Sequence, residues 1–307
     1  MNKKLGYIII ILCITLVLAI IFCILGYQLS KQPLNTTAET IAETKPTYKI
    51  ADNPNENSVI VVLDPGHGKS SSAMTETEKR ADGWIFNSAS NSWGEWRHWK
   101  SAAMWKDCQG TGCTGRAPKG GSCWYPIGHG DRDTEPDINL HNSLAAKAEL
   151  EKLGYTVRLT RETNNTNPSM TKRLTYCYPN GDITKEPDAD YFICLHSNAG
   201  GGKGSCYISL SGLYDQAGIP EDYIAQGNTL GKTINDKIIN DTSLLSSGNG
   251  EYSGYPELVL FCKSPIPIAY LEIGFYDNSA DLQILNSESE KIGQAIAHGI
   301  DEYIKQN

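Results

Sequence analysis

The sequence predicts an α/β fold: a single twisted, mostly parallel sheet with helices on both faces, carrying a Trp- and Cys-rich insertion and preceded by a transmembrane helix. Three observations support this. Short apolar runs of β type alternate with helical patterns from residue 58 onward, the mark of strands joined through crossover helices. Between Lys69 and Gly130 no clean period is found, yet all six tryptophans lie there. Residues 5–30 carry no charge.

The elements follow in order. Ile8 to Leu25 is almost wholly Ile, Leu, Val, Ala, Cys and Phe, and about 18 apolar residues suffice to cross a bilayer as a helix. Tyr27 to Lys31 follow without a small-residue cleavage pattern, so an uncleaved anchor is expected over residues 1–30. Lys3 and Lys4 favour a cytoplasmic N-terminus, with everything after residue 30 outside the cell membrane. Residues 31–57, rich in Thr, Asn, Pro, Lys and Glu, read as a solvated linker. The folded domain then spans 58–307, with the insertion at 69–130.

Within that domain, Val59 to Leu63 is a buried strand running into Asp64-Pro65-Gly66. Asp137 to Leu153 reads as an amphipathic helix stopped by Gly154. Further strands are expected at 155–160, 191–195, 206–210, 258–262 and 268–271, and further helices at 222–239 and 280–304.

Charge narrows the function classes. The formal net charge is −8, and beyond Lys3 and Lys4 the chain has 35 acidic against 25 basic residues. A nucleic-acid partner calls for a basic footprint, which is missing. Of the nine cysteines, Cys13 and Cys23 lie in the apolar run, and Cys194 and Cys262 sit in expected strands as small hydrophobes. Cys108, Cys113, Cys123, Cys177 and Cys206 remain, and an exported domain permits disulfides among them. The spacing of Cys108, Cys113 and Cys123 lacks the two-residue gap usual in a zinc knuckle.

Two histidines stand where strands run out: His67 in Asp64-Pro-Gly-His-Gly68 and His196 in Leu195-His-Ser-Asn-Ala199. Sites in open α/β sheets form beyond the carboxyl ends of strands, so the two can converge. Neutral imidazole is a good zinc ligand, and a third ligand would complete a catalytic site with an open position. Glu272, at the end of the strand 268–271, is either a structural carboxylate or a site residue. Glu135 stands just ahead of the helix expected from near Asp137, with Pro136 at the first helical position. Acidic residues are ordinary there because of the helix dipole, although a carboxylate is also a common third ligand beside two histidines.

Five segments occur in order: Val61-Val-Leu-Asp-Pro-Gly-His-Gly68, Glu135-Pro-Asp-Ile-Asn-Leu140, Gly154-Tyr-Thr-Val-Arg-Leu-Thr-Arg161, Cys194-Leu-His-Ser-Asn-Ala199 and Tyr270-Leu-Glu-Ile-Gly-Phe-Tyr-Asp-Asn278. Together they resemble the zinc-dependent N-acetylmuramoyl-L-alanine amidases of bacterial cell-wall turnover, over residues 58–304 less the insertion. The resemblance implies a sheet of about six strands, zinc bound by His67, Glu135 and His196, and Glu272 as catalytic carboxylate. It also implies peptidoglycan as substrate. The segment between His67 and Glu135 is longer than is usual for the family. It brings His129, Asp131 and Asp133 near as rival ligands, but the context of Glu135 matches.

A zinc peptidase acting on stem peptides, and a wall-binding or regulatory protein without activity, are the alternatives. A phosphate-binding loop at Gly66-His-Gly-Lys-Ser70 fails because Leu63 stands where the motif needs Gly. The tryptophans of the insertion are expected mainly to build its own small core. A glycan-binding role, or a cover moved by a regulatory protein, is the functional alternative. His98 has no assignment, while His141 and His298 read as helix-face residues.

Overall fold

The computed structural model describes residues 59–96, 124–127, 134–209, 220–253, 260 and 263–307. The expected anchor and linker, His98, His129, Asp131, Asp133, Cys108, Cys113, Cys123 and Cys262 lie outside them.

Six strands form one sheet in the order β5-β1-β6-β9-β7-β8. They are β1 (Ile60–Pro65), β5 (Thr156–Leu159), β6 (Tyr191–Asn198), β7 (Ser205–Ser209), β8 (Ser246–Ser253) and β9 (Ile268–Phe275). All pairings are parallel except β7 with β9. A strand was expected at 258–262, but Leu260 is helical and its carbonyl accepts a bond from the Ser264 amide at 2.9 Å. The sixth strand is β8 instead. Its sequence, Ser-Ser-Gly-Asn-Gly-Glu-Tyr-Ser, has no apolar run because it is a mostly exposed edge.

The period of two along each strand splits the core into two layers. Val61, Leu63, Tyr191, Ile193, Leu195, Ala269 and Leu271 pack under three long helices: α2 (Thr134–Lys152), α4 (Glu221–Asp241) and α6 (Ser289–Gln306). Val62, Phe192, Cys194, Ile268 and Tyr270 face the other way. There the cover is lighter: the short helix α3 (Met170–Leu174), two 3₁₀ turns at Thr175–Cys177 and Pro179–Gly181, and the segment around Leu260 and Ile266. The mostly helical stretch expected over 280–304 is two helices, α5 (Ser279–Ser287) and α6.

Helix α2 departs from the expected amphipathic pattern. Leu144 and Leu153 are exposed, whereas Asn139, Asn142 and Ser143 are buried. Ile138, Ala146 and Leu150 of the same helix join the core, while Glu135 and Asn139 in its first turns reach the candidate site.

Within the insertion, β2 (Ile85–Asn87), β3 (Ser92–Trp96) and β4 (Trp124–Pro126) form a separate antiparallel sheet behind helix α1 (Glu76–Ala81). Among the described residues, Trp84 and Trp93 pack with Met74 and Ile127 in a small cluster. The sheet is tied to the domain at α3. Glu95 accepts bonds from the Met170 and Thr171 amides at 3.3 and 3.1 Å, and the Trp84 indole donates to the Asn167 carbonyl at 2.7 Å. Cys177, Cys194 and Cys206 are buried free thiols, so neither Cys177 nor Cys206 is in a disulfide.

Candidate metal centre

β1 ends at Pro65, and the Gly66 amide still bonds to the Leu195 carbonyl of β6 at 2.8 Å. His67 then takes a left-handed backbone with φ 58°, which side chains ordinarily avoid. Two buried arginines hold the turn. Arg161 donates to the carbonyls of Pro65 and Gly66 at 3.0 and 2.9 Å, and Arg173 to those of Pro65 and His67 at 2.9 and 2.7 Å. Arg173 is anchored by an ion pair with Asp64 at 2.6 Å, and Thr160 donates to the same carboxylate at 2.5 Å. Burial raises the Asp64 pKa, but the Arg173 charge and the bonds from Thr160 and Arg173 outweigh it and hold the carboxyl below its ordinary range.

His196 lies at the carboxyl end of β6, where the pairing with β9 shifts register between His196 and Asn198. Such irregularities re-aim side chains beside functional sites. The ring stacks on Tyr270 with centroids 4.8 Å apart. It also passes so close to Gly66 that a Cβ there would lie 2.3 Å from its Cε1 atom, so only glycine fits. Burial lowers the His196 pKa and favours the neutral imidazole.

Glu135 sits in the first turn of α2 rather than just ahead of the helix. Its two carboxylate oxygens lie 3.1 Å from His196 Nδ1 and 3.2 Å from His67 Nε2. Burial raises its pKa, but the bonds to His196 and His67 prevail and keep it ionised. One ligand atom from each of His67, Glu135 and His196 falls within 4.8 Å of the others.

Glu272 is the register partner of His196 on β9. With Tyr270, it shares the sheet face that carries His196. It lines a cavity of about 370 Å³ together with the three clustered residues, Met170, Leu260 and Tyr276. Burial, with a smaller contribution from the nearby Glu135 charge, raises its pKa to about 8.

The structure thus brings together all four residues singled out in the sequence. His141 and His298 are exposed on helices away from this group. Asn139, Ser197, Arg161, Arg173 and Tyr270 also bear on the site without being marked out by residue type in the sequence. For Asn139 a signal existed, since it follows Glu135 by one helical turn and shares its face. A buried arginine such as Arg173 gives none.

Two imidazoles and one carboxylate, the histidine His196 neutral and the glutamate ionised, form a donor set that fits zinc in a catalytic site.

Among solved structures, the fold is similar to the amidase Ami1 from Mycobacterium smegmatis, with 17% identity, a TM-score of 0.53, and coverage of 81% of this chain and 98% of that one. It is also similar to Cwp6 from Clostridium difficile, with 18% identity, a TM-score of 0.49 and coverage of 81% of this chain. The match spans only 30% of Cwp6. A third likeness is to the CwlD amidase from Clostridioides difficile, solved in complex with the GerS lipoprotein, at 20% identity and a TM-score of 0.47, covering 82% of this chain and all of that one. No curated protein matches the sequence. The profile of the N-acetylmuramoyl-L-alanine amidases matches residues 61–302, most of the chain, and the chain belongs to that family.

Proposed function

We propose that this amidase is zinc-dependent and cleaves the amide between the lactyl group of N-acetylmuramic acid and L-alanine in peptidoglycan. His67, Glu135 and His196 would hold the metal, and Glu272 would serve as the proton carrier. The observation that supports this best is the convergence of three ligand atoms within 4.8 Å on a cavity that Glu272 also lines.

Zinc held there supplies Lewis acidity, lowering the pKa of water and polarising an amide carbonyl. Glu272 takes a proton from the attacking water on its carboxylate and returns it to the departing nitrogen of L-alanine. In the metal-free protein burial holds its pKa above the ordinary carboxylate range, and the charge of a bound cation would lower it toward values at which one group both accepts and releases a proton. Met170, Leu260 and Tyr276 give the cavity an apolar wall that limits water beside the reacting amide.

The uncharged run at residues 5–30 is proposed to anchor the enzyme in the cell membrane with its catalytic domain on the wall side, on the strength of length and flanking charge. Among the described residues no helix is long and apolar enough to cross a membrane.

The test is digestion of purified sacculi with the wild-type chain and Glu272→Gln, with products identified by mass spectrometry. Free muramyl glycan and intact stem peptides are expected from the wild type. Zinc retention with loss of most turnover is expected from the variant. Cuts within the stem peptide would point instead to a peptidase, and near-normal turnover by the variant would remove the role given to Glu272.

A further inference from the structure

We propose that Asn139 is a positioning residue of the metal centre, a single buried amide that clasps the three chain segments bearing His67, Glu135 and His196. The proposal rests on the metal-binding role given above to those residues.

Asn139 is 1% exposed in the interior of α2. Asparagine is a poor helix former, and a buried amide costs stability unless its groups are bonded. Its bonds go to the ligand segments. The Nδ2 group donates to the Gly66 carbonyl and to Glu135 Oε1, each at 3.3 Å. The Oδ1 atom accepts from the Ser197 hydroxyl at 3.1 Å. Gly66 precedes His67, and Ser197 follows His196. One side chain therefore touches the turn of the first histidine, the carboxylate itself and the strand end of the second histidine.

The orientation of the amide is set by its partners, because a carbonyl and a carboxylate can only accept. Ser197 reinforces the clasp by donating its own amide to Glu135 Oε1 at 3.3 Å. Groups of this kind fix the rotamer and direction of a ligand before the metal arrives, and their loss typically weakens metal binding by about 10–100-fold.

Asn142, less than one turn further along the same helix, supplies the contrast. It is equally buried, yet among the described residues neither polar atom of its side chain has a hydrogen-bond partner. It shares the helix and the burial of Asn139 without the clasp.

The experiment measures zinc affinity by competition with a chromophoric chelator, together with the melting temperature of the metal-free protein. It uses the full-length chain in detergent as wild type, Asn139→Ala, Ser197→Ala and Asn142→Ala. Asn139→Ala is expected to bind zinc roughly 10–100-fold more weakly. Ser197→Ala should shift less in the same direction, and Asn142→Ala should match the wild type. The proposal is overturned if Asn139→Ala melts earlier but keeps wild-type zinc affinity, or if Asn142→Ala loses as much affinity. Should Asn139→Ala not fold, unchanged affinity in Ser197→Ala overturns it as well. A wild-type chain that binds no zinc would refute the metal-binding role itself and this inference with it, an outcome distinct from the other three.

Discussion

Replacing Arg173 by Met tests how the His67 turn is held. Arg173 and Asp64 are each 1% exposed, and their charged groups are 2.6 Å apart. Removing the guanidinium alone leaves a carboxylate buried without its counter-charge, a loss of about 3–5 kcal/mol. Against a domain stability of about 5–15 kcal/mol, that is a large share. The double variant Asp64→Asn/Arg173→Met removes both charges and should recover part of the loss, since exchanging both partners of a buried pair for neutral groups is often close to neutral. Recovery should be incomplete, because the His67 carbonyl still loses its Arg173 donor, at about 1–3 kcal/mol for a group left unbonded, while the Pro65 carbonyl keeps its bond from Arg161. Urea denaturation of metal-free protein gives the midpoints and checks that the slope is constant. The pH dependence has a definite sign. The Asp64 carboxyl is held below its usual range, so its contribution is present above about pH 4 and is lost as the pH falls through the depressed value. The gap between wild type and Arg173→Met should therefore narrow in acid. A loss below about 1 kcal/mol at neutral pH, or a double variant no more stable than the single, would refute the reasoning.

Other perturbations probe the same architecture. Gly66→Ala places a Cβ within 2.5 Å of three atoms of the His196 ring, so zinc affinity should fall by about tenfold or more while circular dichroism stays unchanged. In metal-free protein, Glu272 carries a pKa raised to about 8, so its stabilising contribution is complete below about pH 4.5 and is lost as pH rises through 8. At about 1.4 kcal/mol per pH unit the ceiling is near 5 kcal/mol, which partial exposure of the side chain cuts to a few. Denaturation from pH 5 to 9 with chelator present should show a flatter profile for Glu272→Gln, and equal profiles would exclude the shift. Glu95→Ala removes the acceptor for the Met170 and Thr171 amides, so it should cost about 1–2 kcal/mol and speed amide exchange across α3.

Much of this arrangement could be read from the chain. The apolar runs at Val59–Leu63 and Tyr191–Leu195 are buried on both faces from Val61 to Leu63 and throughout 191–195, so the strands that deliver His67 and His196 were legible. Edge strand β8 was not, because an exposed strand has no need of an apolar pattern. The run at 258–262 gave a false strand at Leu260 because a short apolar stretch reads the same for a strand and for a helical residue. In the site, residues that chemistry marks out were visible, whereas those that hold them in place were not. Asn139 and Arg173 are polar types that usually face water, and only the fold shows that their partners are backbone carbonyls and carboxylates from distant segments.

The three clustered residues proposed to hold the metal lie on separate segments, each more than 60 residues from the next, with 61 between Glu135 and His196. No short piece of the chain can gather them, and a chelating set absent from the unfolded state forms only once β1 has paired with β6 and the head of α2 has docked. On the metal-binding role proposed above, uptake of the ion would follow completed folding. Growing or partly assembled chains would not compete for a scarce ion. A destabilised variant would surrender its ion in step with its unfolded fraction, so metal content would report on folding quality as well as on catalytic competence.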